Sequence, residues 1–215
     1  MTKKYKNILF DMDGVLINSM KYHIQAWKKA FSKFNIEVTN QEIMNLGGMT
    51  SIETIQIICK NKNIYCDENL IQKIKSEKGK QLDNIFKVEP FPHVIEELNK
   101  LKESGFTLAL ISGCRNFEVN KTTNDFFPNI FDLIISGDDV KFGKPNPEPY
   151  QTAIDKLNLN KSQTVVIEDA LSGIESANSA GIDVLALTTS FPKKELLKAT
   201  KIFESHQKLF KYLNP

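Results

Sequence analysis

Five short runs of nearly unbroken apolar residues set the limits on what this chain can fold into. They are "NILF" (7–10), "TLALIS" (107–112), "FDLIIS" (131–136), "TVVIED" (164–169) and "DVLAL" (183–187). Runs of this length without polar alternation suit strands covered on both faces, as in a parallel sheet. Helical patterns lie between them: "HVIEELNKLKESG" ends at Gly105, "PEPYQTAIDKLNL" starts at a proline, and "ALSGIESANSAG" ends at Gly181. Strands alternating with helices predict an α/β fold with a Rossmann-like parallel sheet as its core.

One interval breaks the alternation. From Ser19 to about Asp83 the chain reads as consecutive amphipathic helices: "MKYHIQAWKKAFSKF", "NQEIMNL", "SIETIQIICKNK" and "ENLIQKIKSEKGKQLDNIF". The expected division is a core of residues 1–17 and 86–215, with a helical cap of residues 18–85 inserted after the first strand and hinged near Ile17 and Lys87 to Pro90.

With 28 Lys and Arg against 26 Asp and Glu, scattered along the chain, there is no basic footprint for nucleic acid. The apolar run in "MTKKYKNILF" is too short for a signal-peptide core, and no later run reaches membrane-spanning length. A cytoplasmic protein that contacts neither membrane nor nucleic acid is expected, with a monomer as the default state. Cys59, Cys66 and Cys114 have no CxxC spacing, and His23, His93 and His206 lie far apart, so neither a zinc framework nor a disulfide framework is expected.

The chemistry gathers at strand ends. Asp11 and Asp13 close the first strand, and residues i and i+2 project to the same side. Two carboxylates roughly 5 Å apart repel by about 3 kcal/mol at an effective dielectric near 20, so the pair calls for a cation or a shared proton. From "DMDG" alone an acidic turn is an equal reading. A calcium loop is not, because the twelfth position counted from Asp11 is Tyr22 rather than glutamate. The other strand ends favour a ligand site, since ligands of open parallel sheets sit beyond the carboxyl ends of the strands. Ser112 ends the second strand, "GDDVKFGKP" leads from the third to Lys144, and Glu168 and Asp169 end the fourth. Carboxylates for a hard divalent ion, a hydroxyl and amides for phosphate oxygens, and an ammonium for developing charge form a phosphoryl-transfer set. Magnesium suits such an oxygen-lined site better than zinc.

In that order, "DMDGV", Ser112, Lys144 in "KFGKP" and "IEDALSGIESANSAG" resemble the four motifs of the haloacid dehalogenase superfamily, in its phosphatase and phosphomutase branch with a helical cap. The resemblance implies that Asp11 attacks phosphorus to give an aspartyl-phosphate and that Asp13 is the general acid and base. It implies that Asp11, the Asp13 carbonyl and Asp169 hold Mg²⁺, with Glu168 binding directly, through water or from behind these ligands. Lys144 would bridge Asp11 and the phosphoryl group. Ser112 and the Gly113 amide would hold phosphate oxygens. Arg115 and Asn116 would face substrate or begin the next helix, and Gly14 would permit the turn away from the aspartates.

The expected activity is Mg²⁺-dependent hydrolysis of a small phosphorylated metabolite, of the sugar phosphate or phosphoglycolate type. "YHIQAW" (22–27) is similar to the first cap helix of β-phosphoglucomutases, which makes a sugar phosphomutase the alternative. However, residues 47–54 lack the arginine of the mutase loop, and Asn18 stands where the family often has an acid. His23 is read as a packing residue or as one that orients Asp13. A non-catalytic phosphate binder on this fold would most simply have lost Asp11 or Asp13, and both are present. Specificity is expected in the cap, at residues 47–54 and on the polar face of 51–62.

Overall fold

A computed structural model describes residues 5–214. Six parallel strands form one sheet in the order β3-β2-β1-β4-β5-β6: β1 Asn7–Phe10, β2 Thr107–Ile111, β3 Leu133–Ile135, β4 Thr164–Glu168, β5 Asp183–Leu187 and β6 Lys201–Phe203. Every residue of β1 and β4 is buried, which explains their unbroken apolar character. Ile8 and Phe10 enter the core on one face of the sheet and Leu9 enters the core on the other. The order reverses between β1 and β4. This is the switch point at which a crevice opens beyond the strand ends.

Four helices leave the sheet after β1: α1 Met20–Ser32, α2 Asn40–Asn45, α3 Ser51–Asn61 and α4 Glu68–Ile85. Capping boxes start α2 (Thr39 with Glu42) and α3 (Thr50 with Glu53), and Asp67 caps α4. The four helices share their own core, in which Ile55, Ile58 and Ile74 are buried and Trp27 stacks on Phe31 at 5.4 Å. Each such aliphatic side chain contributes about 1.5–3 kcal/mol. The two strands of chain that join cap to core pair with each other. Ile17 bridges Pro90, and the Asn18 amide donates to the Glu89 carbonyl at 3.1 Å.

The four-helix unit contacts the sheet core directly. Ser172 donates to the Gly47 carbonyl, the Gly143 amide donates to Glu53 at 3.0 Å, and the buried Lys78 ammonium of α4 meets Glu118 at 3.3 Å. A Cβ at Gly113 would collide with the carbonyls of Gly48 and Met49, so glycine is what allows this approach.

The remaining helices are α5 Val94–Glu103, α6 Asn116–Phe126, α7 Glu148–Leu157, α8 Leu171–Ser179 and α9 His206–Leu213. Strand β6 and helix α9 are additions to the elements expected from the sequence, and β3 is shorter than its apolar run. Among the described residues no helix is long and apolar enough to cross a membrane.

Candidate active site

Asp11 is the first residue beyond β1. Its amide still donates to the Ile167 carbonyl of β4 at 3.0 Å, so the sheet itself fixes its position. The chain then turns at Gly14, whose φ of 81° belongs to the left-handed region; a Cβ there would strike the Asp169 carboxylate. Lys144 reaches this point from the loop after β3, through a cis Lys144–Pro145 bond. Its buried ammonium donates to Asp11 Oδ1 at 2.6 Å, Glu168 Oε1 at 2.7 Å and the Ile111 carbonyl at 3.0 Å. Burial opposes the charge on Lys144, but the adjacent carboxylates of Asp11 and Glu168 outweigh it and hold the group protonated.

Three buried acids, Asp11, Glu168 and Asp169, place carboxylate oxygens within 4.8 Å of one another. One ammonium does not balance them. Burial, followed by the charge of Glu168, pushes Asp169 up to about 7. Burial also pushes Asp11 well above the usual carboxylate range, against the pull of Lys144. Such a cluster would be stabilised by a cation, and its all-oxygen donor set fits Mg²⁺. The Asp13 carbonyl accepts no hydrogen bond from the described residues, so it is available as a further oxygen ligand.

Glu168 is differently placed from Asp169. Its Oε1 accepts from Lys144 and from Tyr150 at 2.7 Å, and its Oε2 accepts from the amides of Asp169 and Ala170 at 3.0 and 3.2 Å. Four protein donors therefore occupy it, which suits a group that positions Lys144 and the β4 loop better than a direct ligand. Asp169 is held on Oδ2 alone, by Thr189 at 3.2 Å and by Ser190.

Asp13 sits in a separate pocket of donors. Ser19 and His23 Nε2, the latter at 3.1 Å, meet Oδ1, and the Cys114 thiol donates to Oδ2 at 3.1 Å. Burial would raise its pKa, but the His23 charge and these hydrogen bonds prevail and hold Asp13 well below the usual range. Without substrate it is a carboxylate.

Ser112 is buried at the end of β2, where its Oγ accepts from the Cys114 amide at 3.1 Å. The amides of Met12, Asp13 and Gly113 have no acceptor among the described residues. Unpaired amides at the ends of β1 and β2 are suited to phosphate oxygens. Arg115 and Asn116 are not brought to the acids. The Arg115 guanidinium is engaged by Glu118 at 2.6 Å and Asp83 at 3.3 Å, and the residue lines a different depression, between cap and core. Asn116 starts α6 and accepts from Asn120 at the surface.

Between cap and core lies a partly open cavity of about 60 Å³, lined from below by Asp11, Asp13, Gly113 and Asp169. From above it is lined by Met20, Trp27, Met44, Met49, Thr54 and Lys78. Ser19, Cys114, Tyr150, Thr189 and Ser190 were not singled out from the sequence. Cys114, Thr189 and Ser190 had a signal there, because they follow β2 and β5 at the edge where the strands deliver their polar residues.

The sequence profile described as haloacid dehalogenase-like hydrolase matches residues 8–187. A protein of Streptomyces hygroscopicus subsp. limoneus named validoxylamine A 7'-phosphate phosphatase is 30% identical over 196 residues, covering 91% of each chain. A phosphorylated carbohydrates phosphatase of Thermotoga maritima is 30% identical over 178 residues, or 82% of each chain. A solved structure from Bacteroides vulgatus, described as a candidate β-phosphoglucomutase, is 32% identical. It superposes with a TM-score of 0.90 and covers 99% of this chain and 90% of that one.

Proposed function

The chain belongs to the haloacid dehalogenase-like hydrolase family and is a phosphatase within it, and we propose that it hydrolyses a small phosphorylated metabolite through an aspartyl-phosphate on Asp11, with Mg²⁺ held by Asp11, Asp169 and the Asp13 carbonyl. The observation that carries this reading is the convergence in one capped cavity of Asp11, buried and fixed by Lys144, with Asp13, separately cradled 2 residues further along.

The chemistry divides into two displacements. A carboxylate oxygen of Asp11 attacks phosphorus, and the bond to the leaving oxygen breaks with its electron pair. Asp13 gives that oxygen a proton. Water then attacks the phosphorus of the aspartyl-phosphate, Asp13 takes the water's proton, and the Asp11 carboxylate is released with inorganic phosphate. Asp13 rests as a carboxylate, so it must gain its proton as substrate binds. The negative phosphate beside it opposes ionisation and supplies the push. Ser112 and the Met12, Asp13 and Gly113 amides hold the phosphate oxygens. Lys144 keeps Asp11 oriented and offsets charge in the transition state. When bound, Mg²⁺ screens the attacking carboxylate from the phosphate and withdraws charge from the phosphoryl oxygens.

The cavity of about 60 Å³ is partly open between cap and core, and a leaving group the size of a sugar would need the cap to move apart. From the cap it meets mostly apolar side chains, with Ser51, Thr54, His23 and Lys78 as the polar ones among the described residues. The phosphatases similar to this chain act, by their names, on validoxylamine A 7'-phosphate and on phosphorylated carbohydrates, and the second supports a sugar phosphate as substrate. The test is phosphate release from a panel of phosphorylated metabolites with and without Mg²⁺, compared by kcat/KM. EDTA should remove activity and Mg²⁺ should restore it. Likeness to the candidate β-phosphoglucomutase keeps a phosphomutase reading open. Under that reading β-glucose 1-phosphate with a trace of bisphosphate gives glucose 6-phosphate faster than free phosphate, and release of phosphate alone rejects it.

Metal binding should also depend on pH. Asp169 is raised to about 7 in the metal-free protein, so below that pH an incoming ion must displace a proton. Mg²⁺ should bind about tenfold more weakly at pH 6 than at pH 8, as read by calorimetric titration. An unchanged Kd would separate Asp169 from the metal.

A further inference from the structure

A second cluster of metal-ligating atoms lines the same cavity, formed by residues other than the three acids of the oxygen set. Cys114 Sγ is 3.1 Å from Asp13 Oδ2 and 3.9 Å from His23 Nε2, and that nitrogen is 3.1 Å from Asp13 Oδ1. A tetrahedral zinc with ordinary Zn–S, Zn–N and Zn–O bonds spaces its ligand atoms about 3.3–3.6 Å apart. Each of these separations lies within about 0.5 Å of that spacing, the sulfur and the nitrogen meeting different oxygens of the Asp13 carboxylate, and one ligand atom from each residue lies within 4.8 Å of the others. They come from three places in the chain, namely the turn after β1, the first turns of α1 and the loop after β2, each fixed by its own element. Cys114 is anchored by its amide on Ser112, and His23 packs edge-on to Phe86 with ring centroids 5.9 Å apart.

We infer that Asp13, His23 and Cys114 form a second metal site, one that takes Zn²⁺ in preference to Mg²⁺ and stops catalysis by occupying the proton-transfer group. A thiolate, an imidazole and a carboxylate are a borderline-soft donor set, which zinc accepts and magnesium does not. All three residues line the cavity, so a metal-bound water can fill a fourth position from within it. Lys78 also lines the cavity, and its charge is met by Glu118 at 3.3 Å. On binding, zinc forms a bond to sulfur and the thiol proton leaves to solvent, while the imidazole coordinates in its neutral form. Asp13 can then neither carry nor accept a proton. Inhibition in this sense rests on the role proposed above for Asp13; binding of the metal does not.

Co²⁺ serves as the spectroscopic probe. It is titrated into the full-length protein with Mg²⁺ in excess to fill the oxygen site. The wild type should show tetrahedral visible bands and a near-ultraviolet thiolate-to-cobalt charge-transfer band, saturating at one equivalent and bleached by Zn²⁺. Cys114→Ser should lack the charge-transfer band, His23→Gln should weaken binding about tenfold or more, and Asp169→Asn should retain the band. In phosphate-release assays with Mg²⁺ saturating, Zn²⁺ should inhibit the wild type. Cys114→Ser should need about tenfold more zinc to halve its own zinc-free rate. Absence of a charge-transfer band in the wild type, or its survival in Cys114→Ser, overturns the site. The cobalt spectrum reads binding whether or not the chain proves to be a phosphatase with the substrates tried.

Discussion

Replacing Asp11 with asparagine should lower kcat for phosphate release by roughly 10⁴-fold or more on any substrate the wild type accepts, with little change in Tm. The amide keeps the shape of the carboxylate but lacks the charge and the nucleophilic oxygen pair. The aspartyl-phosphate cannot form, and the uncatalysed reaction has nothing in its place. The fold should tolerate the change, because Lys144 retains Glu168 at 2.7 Å and the Ile111 carbonyl at 3.0 Å. One of three competing buried negative charges is also removed. Stopped-flow or discontinuous phosphate assays read the rate, and circular dichroism reads the fold. A variant within tenfold of wild-type activity would exclude Asp11 as nucleophile and return the site to direct attack by water.

The parts of this architecture written locally were legible in the chain. "NILF" and "TVVIE" are buried at every position, so their unbroken apolar character and their place at the centre of the sheet have one cause. Strand β6 left no such trace. It is three residues at the sheet edge, its Lys201 is exposed, and it is recruited by ladder bonds such as the Thr188 amide to the Phe203 carbonyl at 3.1 Å. Helix α9 did carry an apolar stripe, Leu209, Phe210 and Leu213, in only two turns. In the site, the order of Asp11, Ser112, Lys144 and Asp169 along the chain was enough to suggest the chemistry, because each ends or follows a strand and parallel strands end at one edge. The donors around Asp13 are another matter. Ser19 and His23 stand four residues apart at the start of α1, and His23 reads from the sequence as a residue that could orient Asp13, but Cys114 reaches Asp13 from the loop after β2 and no spacing in the sequence encodes that distance. Arg115 resembled an anion-binding residue, yet Glu118 three positions on is its partner. An acid at i+3 from a helix start is visible in sequence, and it explains why the guanidinium is spent on structure.

Lys144→Met should destabilise the protein by about 3–5 kcal/mol at pH 8, the usual cost of removing one partner from a buried ion pair. For a domain of this size Tm should fall by roughly 10 °C. Methionine fills much the same volume, so the loss is electrostatic: Asp11, Glu168 and Asp169 remain buried with no cation. The remedy open to them is protonation, since burial already holds Asp11 and Asp169 above their ordinary values. An acid whose pKa is higher in the folded than in the unfolded state binds more protons when folded, so stability falls as pH rises through that interval. The deficit of Lys144→Met should therefore be largest at pH 8 and shrink toward pH 5, where the carboxyls take up protons and need no counter-charge. Adding Glu168→Gln should recover part of the loss, because it removes a charge that Lys144 and Tyr150 now share at 2.7 Å. Mg²⁺ should stabilise the single variant more than the wild type, since the ion then supplies the only positive charge among these acids. Thermal melts of wild type, the single variants and the double variant at the two pH values measure all of this. A deficit that does not change with pH would mean that Lys144 stabilises the fold by packing rather than by charge, and that the acids around it are already balanced in some other way.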